Sequence, residues 1–338
     1  MLCGLVMTGS EKNLPVVDVT ALVAGSDAPD ATAARIDAAC RDAGFFYVVG
    51  HGVDRTLEER LVAESRRFFA RPEAEKARIA MSRGGRAWRG WFPVGGELTS
   101  GRPDRKEGVY FGAELAADHP LVLAGTPLHG ANLFPDDMPA FRDAVLRWMD
   151  AMTSLGSALL RGMALALGLP AQELGERFTE TPLTLFRVFN YPAAPPDDDG
   201  WGVGEHTDYG FLTILAQDDT GGLEVRTKHG WIAAPPLPGA FVCNIGDMLD
   251  RVTRGLYRST PHRVRNLSRR DRLSFPFFFD PGWNARIGPL VDASRAPVDD
   301  DRAQRWDGAS VHDFDGTYGD YVVRKVSRVF PDLHREVI

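Results

Sequence analysis

The sequence predicts a mainly β protein, a sandwich or jelly roll with flanking α-helices, on three observations. From about residue 183 the hydrophobic period switches to two, and short β-rich runs follow one another at regular spacing. Gly, Pro and Asp clusters separate these runs, as in closed or nearly closed antiparallel sheets. The segments before this region carry helical spacing instead, with no Pro/Ser linker between. The length of 338 residues alone suggests two domains, but the continuous pattern favours one compact unit over 1–338.

Taken in chain order, LPVVDV (14–19) reads as a short strand. Asp30 is placed to cap a helix running to about Ala43, with Ala33, Ile36 and Cys40 on one face. GFFYVVGHGV (44–53) is a buried strand ending in a Gly-rich turn. Thr56 with Glu59 forms a capping box for a helix striped by Leu57, Leu61, Ser65 and Phe68, ending before Pro72. The stretch 84–111, rich in Gly, Trp and charge, reads as a surface loop or a mobile lid. Phe141, Val145, Trp148, Met152, Leu155 and Leu159 then mark a long helix from about Pro139 to a Gly168 stop, able to brace a sheet. The β runs are LTLFRVFNY (183–191), FLTILAQ (211–217), GLEVR (222–226), AFVCNIG (240–246), HRVRN (262–266) and LSFPFFF (273–279), with PAAPPDDDG (192–200) as a surface loop. The tail 318–333 is amphipathic and reads as a helix packing back on the core.

Composition excludes whole classes. With 44% hydrophobic and 25% charged residues the chain is neither disordered nor membrane-spanning. A net charge of −7 repels phosphate backbones and anionic membrane surfaces, so neither nucleic acid nor membrane is expected as a partner. The Arg cluster over 251–272 offers only Tyr257 for base stacking and reads as solvated rim charge. Cys3, Cys40 and Cys243 are odd in number and form no CxxC pair, which fits a reducing cytoplasm. MLCGLVMTGSEK lacks a basic n-region and a long apolar run, so no signal peptide is expected, and Met7 is an alternative start.

The chemistry-bearing residues stand in the β region. EHTDYG places His206 and Asp208 at i, i+2, on one face of an extended backbone, and TPHRV supplies His262. Two imidazoles and one carboxylate hold non-haem Fe(II) on one face and leave the opposite positions open; zinc is the competing metal. Alone, an HxD is more readily a surface turn with a core histidine elsewhere than a metal site. Arg272 and Ser274, again i, i+2, set a guanidinium beside a hydroxyl, a pair suited to a carboxylate or to a rim salt bridge. Asn244 and Asp247, on the strand before the distal histidine, read either as partners that orient a metal ligand or as turn residues, and the turn reading is preferred. The order of HxD, distal His and RxS on consecutive strands is what gives these residues weight.

That order, together with LPVVDV, AACRDAGFFYVVGHGV, RRFFARPEAEK, NYP (190–192), GEHTDYGFLTILAQDDTGGLEV (204–225) and YRSTPHRV (257–264), resembles the isopenicillin N synthase-like family of Fe(II)/2-oxoglutarate-dependent oxygenases over nearly the whole chain. The resemblance implies a double-stranded β-helix, a cupin-like jelly roll, with 14–130 as the family's N-terminal region, 180–285 as the Fe(II)/2-oxoglutarate-binding core and 318–333 as a C-terminal helix. It implies Fe(II) on His206, Asp208 and His262. Arg272 and Ser274, with Tyr191, would hold the distal carboxylate of 2-oxoglutarate. Phe189 stands where many members have Asn, two residues before this Tyr, and Asn190 is adjacent. The implied reaction consumes O2 and 2-oxoglutarate, releases succinate and CO2, and hydroxylates or desaturates a small-molecule substrate. Ethylene-forming fragmentation of 2-oxoglutarate is a second outcome, since ELTSGRPD, Arg187 and HTDYG look like that branch. A 2-oxoglutarate-independent iron oxidase is a third.

Substrate contacts are expected from Trp91, Phe92, Glu97 and Thr99 in the 84–111 segment. Arg187, on the face of Tyr191, reads either as an anchor for a substrate carboxylate or as half of a buried ion pair. Phe278, on the face of Ser274, reads as pocket wall or core. A zinc hydrolase is disfavoured because no HExxH helix supplies a general base. The partner is therefore a small molecule, with the oligomeric state left open.

Overall fold

The structure is a computed structural model and describes residues 13–25, 30–99, 101–194, 201–292, 294, 302 and 308–330. Among the described residues, fourteen strands form two principal sheets and a small hairpin. Strands contributed before the long helix are β1 (Val16–Asp18), β2 (Phe45–Val49), β3 (Gly90–Phe92), β4 (Leu98–Thr99), β5 (Arg102–Pro103) and β6 (Glu107–Gly112). After it come β7 (Leu183–Tyr191), β8 (Trp201–His206), β9 (Leu212–Gln217), β10 (Leu223–Thr227), β11 (Gly230–Ala233), β12 (Phe241–Ile245), β13 (His262–Arg265) and β14 (Arg272–Asp280). The large sheet runs β1-β2-β12-β9-β14-β7-β6-β3 and the smaller β11-β10-β13-β8. Among the described strands, every strand–strand ladder is antiparallel except β1 with β2, giving the jelly roll that the regular short strands predict.

Both faces of the large sheet are covered, so β7 and β14 are buried almost end to end. The helix Pro139–Ala166 is one cover. Proline at its first position suits the unsatisfied N-terminal turn, and Gly168 (φ +74°) ends it in the left-handed conformation, with Leu169 N donating to Ala164 O at 2.9 Å. Helices Asp30–Asp42 and Arg55–Phe69 pack on the outer side of this helix, the first through buried Ala33, Ile36 and Cys40. Pro276 sits in central β14, where a ladder proline is rare; the pairing to β7 lapses between Ser274 and Phe277 to accommodate it.

Several expectations are corrected. The helix near 56 begins at Arg55, so its cap is Asp54, whose Oδ1 accepts from Thr56 N at 2.8 Å; Glu59 pairs with Arg55 instead. The segment 84–111 is not a plain loop, for β3 and β6 extend the large sheet and are fully buried. Strands β8 and β11 are also additional, their glycines having hidden the alternation. The C-terminal helix spans Tyr318–Val329, with 331–333 outside the described residues, as are Cys3, Met7, most of the 192–200 loop and the Asp30 side chain as a cap. Among the described residues no helix is long and apolar enough to cross a membrane.

The packing of helix on sheet gives a test in which two rules oppose each other. Gly156→Ala should gain about 0.5–1 kcal/mol from helix propensity. The added Cβ, however, would lie 2.7 Å from Phe279 Cγ, and overpacking costs roughly 1–3 kcal/mol. Urea unfolding should show net destabilisation; a stabilised variant would mean that this face is loosely packed.

Candidate active site

β8 and β13 pair so that His206 and His262 are direct cross-strand partners, with ring centroids 4.2 Å apart. Asp208, two residues past His206, brings Oδ1 to 3.9 Å from His206 Nε2 and 3.8 Å from His262 Nε2. The three ligand atoms lie within 4.8 Å of one another. Carbonyls of Gly204 and Thr260 sit 2.8 Å and 3.2 Å from Nδ1 of His206 and His262. They fix the Nδ1–H tautomer in each ring and leave Nε2 bare toward Asp208. The other carboxylate oxygen, Oδ2, accepts from Thr213 Oγ1 at 2.6 Å and Asn244 Nδ2 at 2.7 Å.

Asn244 is therefore not a turn residue. It lies within β12, directly across from Thr213 of β9, and this polar pair inside two apolar runs is the signal that favours the ligand-orienting reading of Asn244 over the turn. Asp247 opens the helix Asp247–Val252, and its N–H donates to the Asp208 carbonyl at 2.8 Å. Burial pushes the Asp208 carboxyl up, but His262, His206 and the two hydrogen bonds outweigh it and hold the pKa below its ordinary value. Burial, and then His206, pushes His262 down to about 4, so that ring is neutral at physiological pH. Two bare imidazole nitrogens and one ionised oxygen converging on a point are the donor set of a facial metal site.

The triad opens on a cavity of about 450 Å³ between the sheets. At one end Ser274 and Tyr191 line it. Arg272, paired across the strands with Tyr191, is fully buried one layer behind, its guanidinium 4.8 Å from the Tyr191 ring centroid. Its Nε donates to the Gly221 carbonyl and Nη2 to Gln217 Oε1 at 3.3 Å, while Nη1 has no partner. An unpaired buried guanidinium nitrogen beside a free-facing hydroxyl suits a carboxylate. Asn190 points elsewhere, to Glu107 Oε1 at 3.1 Å.

Of the residues expected to touch substrate, Glu97, Thr99, Arg187 and Phe278 line the cavity, whereas Trp91 and Phe92 do not. β3 lies outside β6, so Trp91 is held in a buried cluster, donating to Glu107 Oε2 at 2.9 Å, and Phe92 packs on Tyr110 and Phe189. Arg187 is both inward-facing and paired, with Nη1 3.7 Å from Glu97 Oε1 and its guanidinium over Tyr110 and Phe278. Lys106 was not anticipated; its Nζ joins Glu97 Oε2 at 2.8 Å and also contacts Asp104. Asp280 and Tyr318 also line the cavity, joined by a 2.6 Å hydrogen bond from the Tyr318 hydroxyl.

Asn244→Ala strips one donor from the Asp208 carboxylate, and partners of this kind are typically worth 10–100-fold (roughly) in metal affinity. Anaerobic titration calorimetry should show that loss, and unchanged affinity would reduce Asn244 to a buried polar residue. Burial raises Asp280 from 3.8 to about 7, so its contribution to stability is full below pH 4 and is lost as pH rises through 7. The stability of metal-free Asp280→Asn relative to the native chain should therefore improve between pH 4 and pH 8; a pH-independent difference would contradict this.

Comparison with known proteins agrees with the geometry. Residues 14–137 match the family model for the N-terminal region of non-haem dioxygenases in morphine synthesis, and residues 183–281 match that of the 2OG-Fe(II) oxygenase superfamily. The chain is 47% identical to a probable iron/ascorbate oxidoreductase of Dictyostelium discoideum, with 97% of each chain covered. It is 36% identical to a homoarginine-6-hydroxylase of Arabidopsis thaliana, covering 82% of this chain and 88% of that one. Among solved structures, a 2OG-Fe(II) oxygenase family protein of Caulobacter crescentus superposes with a TM-score of 0.77 at 26% identity, covering 94% and 99% of the two chains. The chain thus belongs to the isopenicillin N synthase-like family of Fe(II)/2-oxoglutarate-dependent oxygenases, and is a non-haem iron dioxygenase that uses 2-oxoglutarate and O2 on a small molecule.

Proposed function

We propose that this enzyme hydroxylates a C–H bond of a small amino-acid-like molecule, with 2-oxoglutarate converted to succinate and CO2. The observation that carries this reading is the placement of the His206, Asp208 and His262 ligand atoms at a cavity whose far wall presents fixed charges of both signs. Fe(II) held by those three residues would supply the O2 chemistry. Arg272, Ser274 and Tyr191 would grip the distal carboxylate of 2-oxoglutarate, and the unpaired Arg272 Nη1 supports that role.

Arg187 offers a guanidinium to a substrate carboxylate, and Glu97 offers a carboxylate to a substrate cation. Thr99 adds a hydroxyl and Phe278 an apolar wall. Because Glu97, Asp104, Lys106 and Arg187 neutralise one another, a zwitterion could replace their contacts without leaving net charge in the cavity. The homoarginine-6-hydroxylase relative, acting on a cationic amino acid by its name, supports this class. We read 1–338 as one oxygenase unit, since β1, β2, β3 and β6 join the same sheet as β7, β9, β12 and β14. A reducing, cytoplasmic setting is supported by the buried free thiols of Cys40 and Cys243.

The test is succinate formation from 2-oxoglutarate with Fe(II) and ascorbate across a panel of amino acids and small carboxylic acids. Basic or zwitterionic amino acids should stimulate turnover most, and His206→Ala or Asp208→Ala should abolish both metal binding and turnover. Succinate formed only with uncharged aromatics would sink the substrate class, ethylene as the main product would favour 2-oxoglutarate fragmentation, and product without succinate would indicate the iron-oxidase reading.

A further inference from the structure

The backbone of the turn that carries Asp208 is held by other segments. The Asp208, Gly210 and Phe211 carbonyls accept from the N–H groups of Asp247 (2.8 Å), Met248 (2.9 Å) and Gly246 (3.0 Å). From the other side, Phe211 N donates to Asp280 Oδ1 at 3.2 Å. Gly210 packs so tightly on that carboxylate that a Cβ would lie 1.5 Å from Oδ1. The turn is thus flanked by two buried carboxylates, Asp247 and Asp280.

Each of these carboxylates accepts a hydroxyl from the same helix. Tyr318 donates to Asp280 Oδ2 at 2.6 Å and Tyr321 to Asp247 Oδ2 at 2.6 Å. The two tyrosines are three residues apart, hence neighbours on one helical face, and Lys325 follows on that face with Nζ 3.9 Å from Asp247 Oδ2. The same helix walls the cavity with Tyr318, Val322 and Val329.

We propose that Tyr318 and Tyr321 are positioning residues for the metal carboxylate: through Asp280 and Asp247 they clamp the Asp208–Phe211 turn, so that metal affinity depends on the seating of the C-terminal helix. This rests on the reading of Asp208 as a metal ligand. Phenylalanine at either position keeps the ring and its burial while removing the strut. A partner group that orients a ligand acts on metal affinity over and above its effect on folding.

The experiment compares Tyr318→Phe, Tyr321→Phe and the double variant in the full chain. Mn(II) affinity is measured by calorimetry, the Co(II) d–d spectrum is recorded, and apo stability is measured by urea unfolding. Leu159→Ala, a core variant on the long helix, controls for general destabilisation, and Asp208→Ala tests the underlying assignment. The expected result is a loss of Mn(II) affinity of at least about tenfold in the double variant with a shifted Co(II) spectrum, and native values for Leu159→Ala. Affinity within about twofold of native in the double variant, with Asp208→Ala unable to bind, overturns the clamp alone. An equal loss in Leu159→Ala overturns it as well. Retained binding in Asp208→Ala overturns the ligand assignment and the clamp with it.

Discussion

A carboxylate taken out of water has to have its charge answered and its lone pairs occupied, and the Asp208 side chain is where this constraint is tightest. The two sheets meet on it from opposite sides. Thr213 and Asn244, neighbours on β9 and β12 of the large sheet, occupy one oxygen. His206 and His262, neighbours on β8 and β13 of the small sheet, face the other. Neither sheet alone could satisfy the group, so the register of four strands and the closure of the jelly roll are all conditions for the site. Orientation follows from the same accounting. With Oδ2 engaged and both Nδ1 protons directed at carbonyls, the only unspent acceptors point at one another across a gap suited to a cation.

The opposite wall obeys the same rule with different residues. Glu97, Asp104, Lys106 and Arg187 are two acids and two bases, all at least largely buried and mutually paired. Removing one partner of such a set leaves its neighbour's charge buried, a loss on the order of 3–5 kcal/mol where the pair is dry. Behind them, on the other face of β6, Glu107 collects Lys76 Nζ at 2.6 Å, Trp91 and Asn190. Lys106, just before β6, and Glu107, its first residue, thus serve opposite sides of the sheet, as alternation along an extended chain demands. The charges in this segment belong to paired interior groups.

That distinction marks the boundary of what could be read from the residues. Where one class of residue dominates a face, the period is visible: Ala33, Ile36 and Cys40, the long helix from Pro139, and the apolar alternation of β7, β9 and β14 stand where expected. HxD, His262 and RxS are legible because their spacing on extended backbone is chemically meaningful. β6 and β8 were hidden because Gly108, Gly202 and Gly204 dilute the alternation, and because Lys106 and Glu107 look solvated until their partners are seen. Trp91 and Phe92 misled for the converse reason. Large aromatics in a Gly-rich stretch suggest a binding lid, yet an edge strand buried behind another uses them as core. Long-range pairings such as Asn244 with Asp208 have no local signature beyond a polar residue in an apolar run.

The antiparallel pair β7 and β14 sets the order of groups along the cavity. Ser274, Pro276, Phe278 and Asp280 alternate onto the cavity face of β14, and Leu185, Arg187, Phe189 and Tyr191 do so on β7. At about 3.3 Å per residue, Ser274 and Asp280 stand roughly 20 Å apart along the strand. Because Arg272 pairs with Tyr191 and Phe278 with Leu185, the guanidinium, the Ser274 hydroxyl and the Tyr191 phenol fall at one end. Arg187, Phe278, Asp280 and Tyr318 cluster toward the other. A dicarboxylate reaching from the triad toward Arg272 would occupy the first half only. On the proposed reading the second half would take the substrate, bounded by the C-terminal helix whose tyrosines brace the Asp208 turn. One helix thus both lines the cavity and bonds the two carboxylates that flank the Asp208 turn, so under the proposed clamp a change at the far wall would reach the ligand without touching it.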